Sequence, residues 1–111
     1  MRPEGIPRVS ILLMELIYME KRYMTRGVAA EVPIWLQNLM WYLRESMQVE
    51  QRDYLQVFRL SRSGGLQEIE HTQEQPDYKQ VICVPAADAI DAKIYIIEDP
   101  AHVTMLLAEE Y

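Results

Sequence analysis

The segment Asp53-Tyr-Leu-Gln-Val-Phe-Arg-Leu-Ser-Arg-Ser-Gly-Gly65 decides the fold. Successive side chains of an extended chain point to opposite faces. Leu55 and Val57 therefore share one face, and Tyr54, Phe58 and Leu60 the other. Apolar groups on both faces are the pattern of a central strand, placed at Asp53 to Arg62. Ser61-Arg-Ser-Gly-Gly65 reads as a hairpin turn, which returns the chain as a more polar strand over Leu66 to Gln73.

Towards the C-terminus, Glu74-Gln75-Pro76-Asp77 interrupts that strand and Tyr78 to Val84 forms another. Pro85 to Asp91 is a loop, and Ala92 to Glu98, rich in Ile and Tyr, is a fifth strand. Asp99-Pro100-Ala101-His102 is a tight turn with proline where turns favour it, and Val103 to Ala108 closes the chain as a sixth strand. Short links between successive strands imply hairpins and hence an antiparallel sheet.

Towards the N-terminus, Leu36, Leu39, Met40, Leu43 and Met47 recur at helical spacing within a helix placed at Pro33 to Val49. Proline suits its first turn, where a missing N–H costs nothing. Trp35 and Tyr42 flank the apolar stripe. Ile34 and Trp41 project about 150° from its centre, near Asn38 and Glu45. Lys21 to Ala30 reads as a first strand, because Tyr23, Thr25 and Val28 favour extended structure; Gly27 marks a bulge or a close backbone approach. The expected architecture is α+β, a β-α-β-β-β-β order in which an antiparallel sheet of about five to six strands carries one amphipathic helix on one face. The second face is left short of cover, to be supplied by dimerisation, the N-terminal segment or a partner.

With 111 residues, half of them apolar and a quarter charged, the chain fits one globular domain. Residues 21–111 are assigned to it and residues 1–20 to an N-terminal extension. Met19 is an alternative start, which would make residues 1–18 an upstream addition; otherwise Leu12, Leu13 and Leu16 pack on the domain as a short helix. Val9 to Tyr18 is too short to span a membrane and lacks a cleavage signal. The single cysteine, Cys83, excludes a disulfide within the chain and fits a reducing cytoplasm; its apolar run points to a buried hydrophobe.

The net charge of −6 argues against direct nucleic-acid binding, which needs cationic surface to displace counterions. The charge is uneven. Residues 1–62 hold nine Lys/Arg against seven Asp/Glu, and residues 63–111 two against ten. These carboxylates serve either as a solubilising surface or as an acidic docking face. Phosphate-binding loops, HExxH and GxSxG are absent from the sequence. His71, Glu74 and Asp77 lack a metal-specific spacing. Glu68 and Glu70 share a strand face, but nothing implies the cleft that would separate their pKa values. Arg26 and Glu31 read as a structural ion pair. No metal or cofactor is expected, and an enzyme is disfavoured.

Arg22-Tyr-Met-Thr-Arg-Gly27 with Glu31-Val-Pro33, then Asp53-Tyr-Leu-Gln-Val-Phe58, His71-Thr-Gln-Glu-Gln-Pro-Asp-Tyr78 and Thr104-Met-Leu-Leu-Ala-Glu-Glu-Tyr111 resemble a family of short hypothetical proteins of Firmicute bacteria and their phages, a domain of unknown function. The likeness covers residues 21–111. Ala108 stands where that pattern has proline, and the first 18 residues depart from it. The resemblance implies a bacterial or phage cytoplasmic origin and carries no catalytic residues.

Two functional readings follow. One is a phage or mobile-element accessory protein that binds a host protein through Ile34, Trp41 and Glu45, since tryptophan is enriched at protein-binding hot spots. The other is a small-molecule or nucleotide binder with Arg26, Tyr54, Gln56 and His71 around a pocket at a dimer interface. A purely structural homo-oligomer is a third.

Overall fold

The structure is a computed structural model that describes residues 21–111; the expectations for the N-terminal extension lie outside the described residues. Among the described residues, six strands form one sheet: β1 (Arg22–Met24), β2 (Leu55–Ser63), β3 (Leu66–Gln73), β4 (Tyr78–Pro85), β5 (Ala92–Glu98) and β6 (Val103–Leu107). Two helices, α1 (Arg26–Glu31) and α2 (Ile34–Glu45), lie between β1 and β2, and a 3-10 turn, Ala108–Glu110, follows β6. The class is α+β, as the sequence suggests.

The spatial order is β1-β6-β5-β2-β3-β4, so β2 is indeed an inner strand. Gly64 and Gly65, with φ of 54° and 81°, make the turn between β2 and β3, a left-handed conformation that side chains with a Cβ resist. The sheet is mixed and not wholly antiparallel. β1 runs parallel to β6, because the chain leaves β1 through two helices and no hairpin ties it to its neighbour. All other neighbouring pairs are antiparallel.

A second correction concerns Lys21 to Ala30, which is a three-residue strand followed by a helix. The Thr25 hydroxyl accepts from the Val28 amide at 3.3 Å. Thr25 thus caps α1 instead of extending β1. Gly27 does mark a close approach, but within that helix: a Cβ there would come 2.7 Å from Leu107 Cδ1 and 2.6 Å from Glu110 Oε2.

Helix α2 stops at Glu45, short of the expected Val49. Its buried face holds Leu36, Gln37, Met40, Trp41, Leu43 and Arg44. Of these, Leu36, Met40, Trp41 and Leu43 pack with Val28, Phe58, Leu60, Ile69, Ile94, Ile96, Val103, Met105 and Leu107 into one core on one side of the sheet. Fully burying each such side chain contributes roughly 1.5–3 kcal/mol.

Candidate functional site

Alternation places Gln56 on β2 and Gln67, Ile69, His71 and Gln73 on β3 towards the core. Burying amide groups is tolerable only where they are hydrogen-bonded, and these glutamines hold the chain's loops. Gln67 accepts from the Ile90 amide at 2.8 Å and donates to the Ile90 carbonyl at 3.0 Å, pinning the link from β4 to β5. Gln73 Oε1 accepts from the Asp53 amide at 2.8 Å and from Gln56 Nε2 at 2.7 Å, and its Nε2 donates to the Pro76 carbonyl at 2.7 Å.

His71 closes this network. Gln56 uses its amide nitrogen on Gln73 and on the Asp53 carbonyl. Its Oε1 is therefore the acceptor for His71 Nε2 at 2.7 Å, which assigns the Nε2–H tautomer. The imidazole stacks on Phe58 at 4.2 Å and meets the edge of Tyr78 at 5.3 Å. Only 1% exposed, it has its pKa lowered by desolvation to about 4. A neutral imidazole held this way orders the sheet end; it has no carboxylate partner to orient it as a general base.

Of the expected ligand set, the structure joins only Gln56 and His71. Tyr54 points outward, and Arg26 is exposed on α1, which sits against β6, two strands from β2. Arg26 and Glu31 stand at opposite ends of α1. Glu74 and Asp77 are exposed in the turn beyond β3 while His71 faces the core, so the three do not converge on a metal. Glu68 and Glu70 lie on the opposite face, where Glu70 meets Arg59 at 3.6 Å.

The expected partner contact is also divided. Ile34 is 73% exposed and Glu45 is at the surface, but Trp41 is buried at 8% exposure. Arg22 covers its ring with the guanidinium 4.8 Å from the centroid, a cation–π contact, and pairs with Glu45 at 2.6 Å. The buried stripe is rotated towards Trp41 because Gln37 and Arg44 belong to it. Gln37 donates to the Val32 carbonyl at 2.8 Å. Arg44, 1% exposed, is held by Glu98 at 3.0 Å and Glu45 at 3.1 Å.

The acidic C-terminal half does not assemble into one face. Asp88 accepts from the Trp35 indole, Asp91 from Arg62, and Glu110 from Thr25 and the Leu107 amide. Asp99 Oδ1 accepts from the Ala101 and His102 amides, which hold its carboxyl below the usual range. Asp53, Glu98 and Asp99, with Arg52, Tyr54 and Gln75, line an open groove of about 550 Å³ at the sheet end. No group of three or more His, Cys, Asp or Glu suited to a metal occurs among the described residues.

What remains is the sheet face away from the helices. Register aligns Tyr23, Thr104, Ile97 and Leu55 in one row across it, and Leu106, Tyr95, Val57 and Thr72 in the next. Lys93, Arg59, Glu70 and Val81 form a third, charged row. Among the described residues, Tyr111 packs here, edge-on to Tyr95 at 5.6 Å, and it stays 76% exposed. Cys83 also lies on this side and is exposed, contrary to the buried position expected for it. The apolar positions 55 and 57 are visible in the sequence; that they are only half-buried follows from both described helices lying on the other face.

Among the described residues, no helix is long and apolar enough to cross a membrane. No curated protein matches the chain. A crystal structure of a protein of unknown function from Enterococcus faecalis shares its fold, with a TM-score of 0.73 and 22% identity over 85% of this chain and 92% of that one. A family model described as a Staphylococcal protein of unknown function, DUF960, matches residues 21–110. The match over most of the chain makes the assignment: this chain belongs to the DUF960 family.

Proposed function

We propose that this chain acts by binding a protein of its bacterial host, as a phage or mobile-element accessory protein in the cytoplasm, and that the bound protein seats on the sheet face opposite the helices. The observation that carries the reading is the apolar half of that face. Leu55, Val57, Tyr95 and Ile97, each half-buried, are contiguous there around the buried Leu106, next to the exposed rings of Tyr23 and Tyr111. Arg59, Glu70 and Lys93 border them. An apolar, aromatic centre with a charged rim is the anatomy of a protein-binding surface. On α2 by comparison Ile34 and Tyr42 are exposed two turns apart, and Trp41 is buried.

Affinity capture from a staphylococcal lysate tests this with three baits: wild type, Tyr95→Glu and Ile34→Glu. The proposal expects one protein retained by wild type and Ile34→Glu and lost with Tyr95→Glu, all three baits having the same circular dichroism. Loss with Ile34→Glu alone would move the contact to the helix.

The groove at the sheet end favours a second reading, a ligand binder. Three carboxylates against one guanidinium repel phosphates, which directs this reading to neutral or cationic small molecules and away from nucleotides. A thermal-shift panel separates the two, because a ligand at a hundred times its Kd adds about 2.7 kcal/mol.

A further inference from the structure

The outer edge of β4 is a sheet edge open to pairing among the described residues. β4 ends the sheet order, and no described residue pairs with its far side. The Ala86 amide donates to the Gly65 carbonyl at 3.0 Å, which fixes the parity of the ladder. The bonded pairs with β3 are Gln67–Val84, Ile69–Ile82, His71–Gln80 and Gln73–Tyr78. The backbone N–H and C=O groups of Lys79, Val81 and Cys83 therefore point away from β3. Their side chains stand on the sheet face away from the helices, where Val81 is 45% exposed and Cys83 is exposed. A straight edge with apolar side chains is a template for another strand.

We propose that β4 pairs antiparallel with β4 of a second copy of this chain, about a two-fold axis at Val81, to make one continuous sheet across a homodimer. This register opposes Val81 to Val81 of the partner subunit, and Lys79 to Cys83 of the partner subunit. Every outward donor and acceptor of the three residues is then bonded, about six hydrogen bonds in all. Pro85, which has no N–H to give, falls beyond the ladder. Shifting the partner by two residues towards Pro85 opposes Lys79 to that proline, which has no N–H to return, and leaves two fully bonded pairs against three.

Charge favours the same register. Glu68 neighbours Cys83 on β3, so Lys79 lies across the small Cys83 of the partner subunit towards Glu68 of the partner subunit, and the symmetric pair repeats it. Glu70 is already matched to Arg59 within its own chain. The two charges stand two strand spacings apart, about 9–10 Å between backbones, a gap that a lysine side chain spans over a small cysteine, and no like charges are directly opposed. The edge is distinct from the apolar half of the face assigned to a host protein, so either proposal can fail alone.

Sedimentation equilibrium of the full 13.1 kDa chain, with Val81→Pro beside wild type, tests the pairing. The Val81 N–H points outward, so proline there removes no bond to β3. The proposal expects a wild-type particle of twice the chain mass and a folded, monomeric Val81→Pro. Ile82→Pro, which breaks the β3 ladder, should lose structure. Amide exchange on wild type gives a second readout that does not depend on any variant folding. The Lys79, Val81 and Cys83 amides should slow at least tenfold as concentration rises through the dimerisation range, with their neighbours in β4 unchanged. A monomeric wild type, a dimeric Val81→Pro, or fast exchange of these three amides in a dimer overturns the proposal. Protection of these amides only on adding another protein also overturns it, in favour of a foreign strand.

Discussion

One face of the sheet carries Phe58, Ile69, Ile94, Ile96 and Met105, all fully buried beneath α1 and α2. The other carries Leu55, Val57, Tyr95 and Ile97 from the same central strands, none of them fully buried. The two faces do not differ by apolar content alone. The covered face even holds more amide groups, in Gln56, Gln67 and Gln73. The difference is what each face does with its polar residues. Under the helices they bond loop backbones and so fix the chain's path; on the open face they form ion pairs at the border of an apolar surface, as Arg59 does with Glu70. Polar side chains are thus no guide to the wet side of this protein, and apolar ones no guide to its core.

Substitutions can break that contrast. Phe58→Ala should cost about 3–5 kcal/mol in denaturant unfolding, the range for an aromatic removed from a packed core. Acid should act on the covered face next. His71 is neutral when folded, with a pKa of about 4 against about 6.5 unfolded. Its contribution is fully present above pH 6.5 and lost as pH falls towards 4, when the unfolded chain binds the proton first. The loss amounts to about 3 kcal/mol at 1.36 kcal/mol per pKa unit. His71→Gln should flatten the unfolding free energy over that window while lowering it near pH 7. Gly27→Ala should cost about 1–3 kcal/mol, since a new methyl must displace Leu107 or Glu110. Ile34→Ser, on the exposed rim of α2, should lie within about 0.5 kcal/mol of wild type.

Much of this fold is legible in the sequence. Ala92 to Glu98 emerges with its bounds intact, because its Ile and Tyr residues alternate between a loop and a Pro-containing turn. The hairpin at Gly64-Gly65 is equally plain, since both positions need left-handed backbone. Helix α1 is not. Thr25 and Val28 look like strand residues, and the contacts that make them a cap and a core residue come from Met105, Leu107 and Glu110, some 80 positions away.

The orientation of α2 is hidden for a different reason. Gln37 and Arg44 are polar but buried, so the apolar stripe alone points to the wrong centre and sends Trp41 outward. The Arg44 partner, Glu98, comes from β5 only once the helix has docked on the sheet, while the Val32 carbonyl that holds Gln37 belongs to the link just before the helix. The candidate surface has the same limit. Leu55 and Val57 show an apolar second face, but neighbours in register, Tyr95 and Leu106 above all, come from strands that sequence order does not place beside them.

The thermal midpoint of Ile97→Ser beside that of Phe58→Ala tests most directly whether the second face is a surface. In a domain of this size 1 kcal/mol moves the midpoint by about 4–8 °C. A surface predicts a drop for Ile97→Ser of no more than about 8 °C, far smaller than that for Phe58→Ala. Equal losses from the two variants would show that both faces are core and contradict the account.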